Sequence, residues 1–143
     1  MREVYSEVGL DPSVVSYMEM HGTGTPIGDP MEANNVAEVF CVGRTTPLLI
    51  GSTKTNMGHP EPASGVAALA KCLIAMHDHA IPANLHFKEP NPMIYPLQDG
   101  RMKVCLQAVI LLHLVFDSIT CSCFSCGLSL VDKIIDSERV SDQ

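Results

Sequence analysis

Two histidines stand in glycine-rich stretches that each follow a short apolar run. The first is His21-Gly22-Thr23-Gly24-Thr25-Pro26-Ile27-Gly28-Asp29-Pro30, and the second is Lys54-Thr55-Asn56-Met57-Gly58-His59-Pro60-Glu61-Pro62-Ala63-Ser64-Gly65. A neutral imidazole donates one hydrogen bond and accepts another, so it can stabilise a developing oxyanion or take up a proton. Glycines on both sides let backbone and substrate come close. Lys54, on the same loop as His59, supplies a cation that can fix charge or tune an imidazole. A lone histidine is more often structural than catalytic; two on matching turns are the stronger signal.

The flanking residues predict the elements that position these turns. Val14 to Met20 reads as a strand, and Pro47 to Gly51 as a buried one. Asp29-Pro30-Met31-Glu32 has the pattern of a helix start, with Asp29 as cap, Pro30 at the first helical position and Glu32 reaching back; the helix is expected to run to about Val42. Ala63 to His77 is apolar on nearly every side, which predicts a helix buried between layers, and it is too short to span a membrane. The prolines between Ile81 and Pro96 favour an extended crossing, followed by a short strand at Arg101 to Val104. In open α/β sheets ligands bind beyond the carboxyl ends of strands, so His21 and His59 are expected to share one pocket with Lys54 beside it.

Composition narrows the classes. A chain of 143 residues suits one domain or part of one. With 46% apolar and 17% charged residues it is globular rather than disordered, and without tryptophan its core must be aliphatic. The formal charge of -7 offers no basic patch, which argues against nucleic acid. Charges within Met1 to Glu7 stand where a signal peptide needs its apolar stretch, so a cytoplasmic location with free thiols is expected, and no membrane partner. Turn grammar stops near Val104, dividing the chain into 1–104 and a divergent tail, 105–143. Cys121, Cys123 and Cys126 lack the paired spacing of a structural zinc site, and His77-Asp78-His79 reads as a solvated helix end, so no metal is expected.

The strings His-Gly-Thr-Gly-Thr-Pro-Ile-Gly-Asp-Pro-Met-Glu and Leu-Ile-Gly-Ser-Thr-Lys-Thr-Asn-Met-Gly-His-Pro-Glu-Pro-Ala-Ser-Gly resemble the two histidine motifs of β-ketoacyl synthases. The second, continued through Ala67-Ala68-Leu69-Ala70-Lys71, Asn84-Leu85-His86-Phe87 and Asn91-Pro92, is similar to animal-type fatty acid synthase in particular, with polyketide synthases the second choice. The resemblance runs from about Val4 to Val104. It implies the C-terminal half of a thiolase-like α/β fold of layered αβαβα type, and a decarboxylative Claisen condensation of acyl and malonyl thioesters. His21 and His59 match the family's two active-site histidines, and Lys54 its active-site lysine; Asp29, Glu32, Thr23, Thr25 and Asn56 lie on the motifs as supporting residues. No cofactor is bound directly, since both substrates ride on the phosphopantetheine of an acyl carrier protein. The parent is expected to be a homodimer, and this chain alone is not.

The family's nucleophile is a cysteine that precedes the first histidine motif, and here no cysteine precedes His21. The six are Cys41, Cys72, Cys105, Cys121, Cys123 and Cys126. The isolated chain is therefore expected to lack condensing activity. After Val104 the family continues to a Phe-Gly-Gly-type loop and a final strand, neither of which is found, so 105–143 reads as mis-spliced sequence. The contrasting reading is a non-catalytic truncated product. Another thiolase-superfamily member is disfavoured, because thiolases use a cysteine as second base where this chain has His59.

Overall fold

The structure, a computed structural model, describes residues 1–110, 119–123 and 128–132. The chain begins with α1 (Arg2–Glu7) and, after one 3-10 turn, enters β1 (Tyr17–Glu19); then follow α2 (Gly28–Phe40), β2 (Leu48–Gly51) and the short α3 (Lys54–Met57). A second 3-10 turn leads into α4 (Ser64–His77), and β3 (Ala80–Ile81), α5 (Tyr95–Gln98), β4 (Met102–Val104) and β5 (Val109–Ile110) come next. β6 (Ile119–Cys123) and β7 (Leu128–Asp132) are the last described strands. Among the described residues no helix is long and apolar enough to cross a membrane.

Five strands form one sheet in the order β4-β2-β1-β6-β7, parallel except for the β6–β7 pair, while β3 and β5 make a separate antiparallel ribbon. The register sets Tyr17 beside Leu49 and Glu19 beside Gly51. Strand side chains alternate between faces, and the two faces of this sheet bury different things. Met18, Met20, Leu48 and Ile50 pack with Val36, Ala37 and Phe40 of α2. Tyr17 packs on the other face with Ala68, Cys72 and Ala75 of α4. The result is an α/β/α arrangement, the layering that the resemblance implies, in which β1 is central and the two helices that follow the histidine-bearing turns cover opposite faces.

Several elements differ from the sequence reading. Val14 closes a 3-10 turn that opens at Pro12, so β1 is shorter than the apolar run suggested. α4 is covered on one side only: Ala68, Cys72 and Ala75 are buried, whereas Val66, Leu73 and Ile74 are 71%, 50% and 61% exposed, so its all-round apolarity does not mean all-round burial here. The proline-rich crossing ends in α5, where Pro96 sits in the first turn and costs no helical hydrogen bond. The sheet also continues past Val104, because the backbone of β6 pairs in parallel with β1, Met18 opposite Thr120. The remainder of the stretch read as a divergent tail lies outside the described residues, as does the Cys126 end of the cysteine cluster.

Candidate active site

The first turn is held by carboxylates from α2. Glu32, 5% exposed, accepts the His21 backbone N–H on Oε1 at 2.6 Å and that of Gly22 on Oε2 at 3.0 Å. Asp29 accepts from Gly24 N–H, 3.1 Å from both oxygens, and from Thr25 N–H at 3.4 Å. Thr25 Oγ1 accepts from Gly28 N–H at 3.0 Å and lies 3.5 Å from Thr23 Oγ1, so both threonines brace the loop. Gly22 has φ +48°, and a Cβ there would come within 3.0 Å of Ser52 Cβ, so backbone conformation and the neighbouring turn both demand glycine.

These contacts correct the predicted helix start. α2 begins at Gly28, so Asp29 lies inside the helix rather than capping it, and Pro30 is its third residue. The carboxylates face back over the helix end because the loop's own amides, fanned out by the positive-φ glycines, offer stronger donors than the cap position.

The second turn carries Lys54 and His59. Lys54 Nζ lies 3.4 Å from His21 Nδ1. His59 Nδ1 accepts the Glu61 backbone N–H at 3.0 Å and is 3.1 Å from Ser64 Oγ, the first residue of α4. The two imidazole rings stand edge to face, centroids 5.5 Å apart and planes at 86°. A donor at each Nδ1 leaves the proton of the neutral ring on Nε2. Partial burial, then the Lys54 ammonium and His59, push His21 below the usual histidine value of 6.5, which keeps it neutral near pH 7. Two imidazole N–H donors beside a lysine can stabilise negative charge developing on one oxygen.

A cavity of about 140 Å³ beside His21 is lined by His21, Thr23, Gly28, Asp29, Met31 and Glu32. Larger clefts lie away from the rings: one of about 320 Å³ behind the first turn, reaching Asn84 and Phe87, one of about 590 Å³ along the open side of α4, and one of about 360 Å³ between Tyr5 and Val39. The geometry of the polar groups locates the chemistry better than the size of these clefts does. Asn56 is exposed, accepts from Thr55 Oγ1 at 3.1 Å and borders the α4 cleft rather than the histidines. Among the described residues no three His, Cys, Asp or Glu side chains gather as a metal site.

Cys41, Cys72 and Cys105 are buried free thiols. Burial pushes Cys105 up to about 11, so it is not a nucleophile at neutral pH.

One polar group escaped the sequence reading. Glu19 is fully buried at the end of β1, and its Oε2 meets Lys71 Nζ of α4 at 2.7 Å and the Tyr17 hydroxyl at 2.5 Å. Its other oxygen, Oε1, accepts the Thr53 backbone N–H at 2.5 Å. The legible signal was a pair of lone charges, Glu19 in one apolar strand and Lys71 in an apolar helix.

Residues 1–88 match the family described as "Beta-ketoacyl synthase, C-terminal domain". A highly reducing polyketide synthase of Aspergillus terreus is 49% identical over 107 residues, 75% of this chain and 4% of that protein. The highly reducing polyketide synthase gloL of Glarea lozoyensis is 39% identical over 137 residues, 96% of this chain and 5% of that one, an alignment that extends well beyond Val104. The ketosynthase from module 6 of the bacillaene synthase of Bacillus subtilis superposes with a TM-score of 0.74 at 31% identity, over 84% of this chain and 22% of that structure. The chain thus spans about one twentieth of the curated relatives' length.

Proposed function

The chain belongs to the β-ketoacyl synthase family, as its C-terminal domain, and from that premise we propose that it supplies the decarboxylating half of a ketosynthase site, in a large synthase of the polyketide type. The observation that carries this is the pair of imidazoles 5.5 Å apart, with Lys54 Nζ at the Nδ1 of His21 and the Glu61 amide at the Nδ1 of His59. In the reaction a malonyl thioester loses carbon dioxide as its carbon–carbon bond breaks, and the electron pair moves onto the thioester oxygen as an enolate. Nε2–H of His21 and of His59 would bind that oxygen, and removal of one such donor typically costs ~10²–10³ in rate. Lys54 holds His21 at Nδ1 and favours its neutral form. Asp29, Glu32, Thr23 and Thr25 fix the turn, and Asn56 plays no part in the pair.

The enolate would then attack the carbonyl carbon of an acyl thioester, forming the new carbon–carbon bond as the carbon–sulfur bond breaks and the thiolate leaves. A cysteine thiolate is suited to carry that acyl group, but no cysteine precedes His21, and Cys41, Cys72 and Cys105 are buried, so in this reading the acyl-bearing thiol comes from outside this chain. Both substrates arrive on phosphopantetheine of a carrier protein in this reading. The polyketide assignment rests on the relatives named above; none of those three is a fatty acid synthase, so the finer resemblance to the animal enzyme draws no support from them.

Purified chain incubated with malonyl and acyl thioesters should release carbon dioxide without forming 3-ketoacyl product, and His21→Ala or His59→Ala should each reduce that release by ~10²–10³. Carbon dioxide release untouched by both substitutions would refute the reading of the site. Ketoacyl product would refute the missing nucleophile.

A further inference from the structure

We propose that Glu19 is a positioning residue for this site: one oxygen of its buried carboxylate holds the Thr53 amide and thereby sets where Lys54 lies against His21. The proposal rests on the functional reading above, since it concerns how the same three side chains are held.

The placement of Glu19 links every element involved. It lies in β1, two residues before His21, and the ladder beyond it continues with Met20 N–H donating to Gly51 O at 2.8 Å. Its Oε1 takes Thr53 N–H, the amide immediately before Lys54 at the head of α3. Its Oε2 is held by Tyr17 and by Lys71 of α4, the helix whose first residue, Ser64, touches His59 Nδ1. Lys71 Nζ also donates to the Tyr17 hydroxyl at 2.9 Å. A single carboxylate therefore has bonds to the strand behind His21, the turn bearing Lys54 and the helix behind His59.

A buried ion pair of this kind is a weak source of net stability, because taking both charges out of water offsets much of their attraction, and apolar replacements are often as stable. The two oxygens of Glu19 divide the work: Oε2 meets the cation and the phenol, and Oε1 is left to the amide. The backbone leaves room for the cluster as well. At Gly51 an added Cβ would lie 2.8 Å from the Tyr17 oxygen and 3.5 Å from Lys71 Nζ. A displacement of about 1 Å at a reacting group can cost up to ~10² in rate, so an anchor next to Lys54 has a functional consequence out of proportion to one hydrogen bond.

The test uses the whole chain and reads the His21 titration by NMR. The charged and titratable groups around His21 are Lys54, His59 and Asp29, together with Glu32, whose carboxylate accepts its amide. Thr53 has φ -59°, which a proline ring accepts, so Thr53→Pro deletes the N–H with little backbone change. Thr53→Val keeps the N–H and removes the hydroxyl that contacts Met57 Sδ at 3.8 Å. Loosening Lys54 removes its ammonium from Nδ1, so the His21 midpoint should rise toward 6.5 in the proline variant and stay put in the valine variant. A folded Thr53→Pro protein that titrates as wild type overturns the proposal.

If the proline variant does not fold, two double variants decide. Glu19→Gln with Lys71→Met keeps an oxygen for the Thr53 amide and should leave the His21 midpoint unchanged. Glu19→Leu with Lys71→Met removes it and should raise the midpoint; equal midpoints in the two would overturn the proposal. These readouts need no turnover. A shifted midpoint without any carbon dioxide release from the wild type counts against the decarboxylase reading alone, and release with no shift counts against Glu19 alone.

Discussion

Replacing Glu32 with alanine should destabilise the chain by about 3 kcal/mol, and the value follows from two bonds. The carboxylate accepts the amides of His21 and Gly22 at 2.6 and 3.0 Å while only 5% exposed. Hydrogen bonds to charged groups contribute about 1.5–3 kcal/mol each, so the pair represents roughly 3–6 kcal/mol. Removing the carboxylate also relieves its burial, which raises its pKa despite the two amides, and this brings the loss to the lower end. Glu32→Gln keeps one oxygen but turns an NH₂ toward the other amide, so about half the loss is expected. Urea unfolding followed by far-UV circular dichroism measures both, read as midpoint shifts at constant slope. Against a total stability of ~5–15 kcal/mol, a 3 kcal/mol change is large. A Glu32→Ala protein within about 0.5 kcal/mol of wild type, the range of an ordinary surface change, would refute the claim that this carboxylate holds the histidine turn. The same group gives a pH signature. Its folded pKa lies above the ordinary 4.5, so the proton-linked part of its stabilisation is complete below 4.5 and is lost as pH rises through the folded value, while the two amide bonds to the carboxylate persist above it; the alanine variant should lack that slope.

Decarboxylation by the chain should fall as pH drops below 6.5, with a midpoint lower than 6.5, because His21 titrates below that value and a proton on Nδ1 sets it against the Lys54 ammonium, ending the contact that holds the ring; a midpoint above 6.5 in the rate profile would contradict this. Folding stability should fall over the same window, from 6.5 down to the folded value, since the unfolded chain takes up that proton first; this slope should vanish in His21→Ala when unfolding is measured across pH. Gly51→Ala should cost roughly 1–3 kcal/mol in thermal or urea unfolding, as overpacking does, because its Cβ would press on the Tyr17 hydroxyl. A neutral Gly51→Ala would mean that the Tyr17–Glu19–Lys71 cluster has slack.

The parts legible in the sequence were those specified by neighbours along the chain. Gly22 and Gly24 announced a turn, and the apolar run Pro47 to Gly51 announced a strand, because conformation there is set locally. What was not legible depended on partners far away. Asp29 looked like a cap until the loop amides of Gly24 and Thr25 were seen to claim it. The face of α4 bearing Val66 and Ile74 looked as buried as that bearing Ala68 and Cys72, since hydrophobicity alone does not say which side meets the sheet. Glu19 and Lys71, 52 positions apart, each looked like an isolated charge, and only the fold puts them 2.7 Å apart. The pairing of β6 with β1 had no local signature.

The central position of β1 has a consequence for how the chain is made. Met18 pairs with Ile50 on one side and with Thr120 on the other, about 30 and about 100 residues downstream. Closing the longer loop costs only about 1 kcal/mol more by the logarithmic rule, so equilibrium barely distinguishes the two. Time does, because at ~5–20 residues per second a ribosome delivers β2 several seconds before β6. During that interval the first strand, with its buried glutamate, presents an unpaired edge of backbone donors and acceptors, and such edges recruit other chains. Synthesis of this protein should therefore be most vulnerable to aggregation when it pauses between residues 51 and 119, and chaperone demand should be greatest in that window.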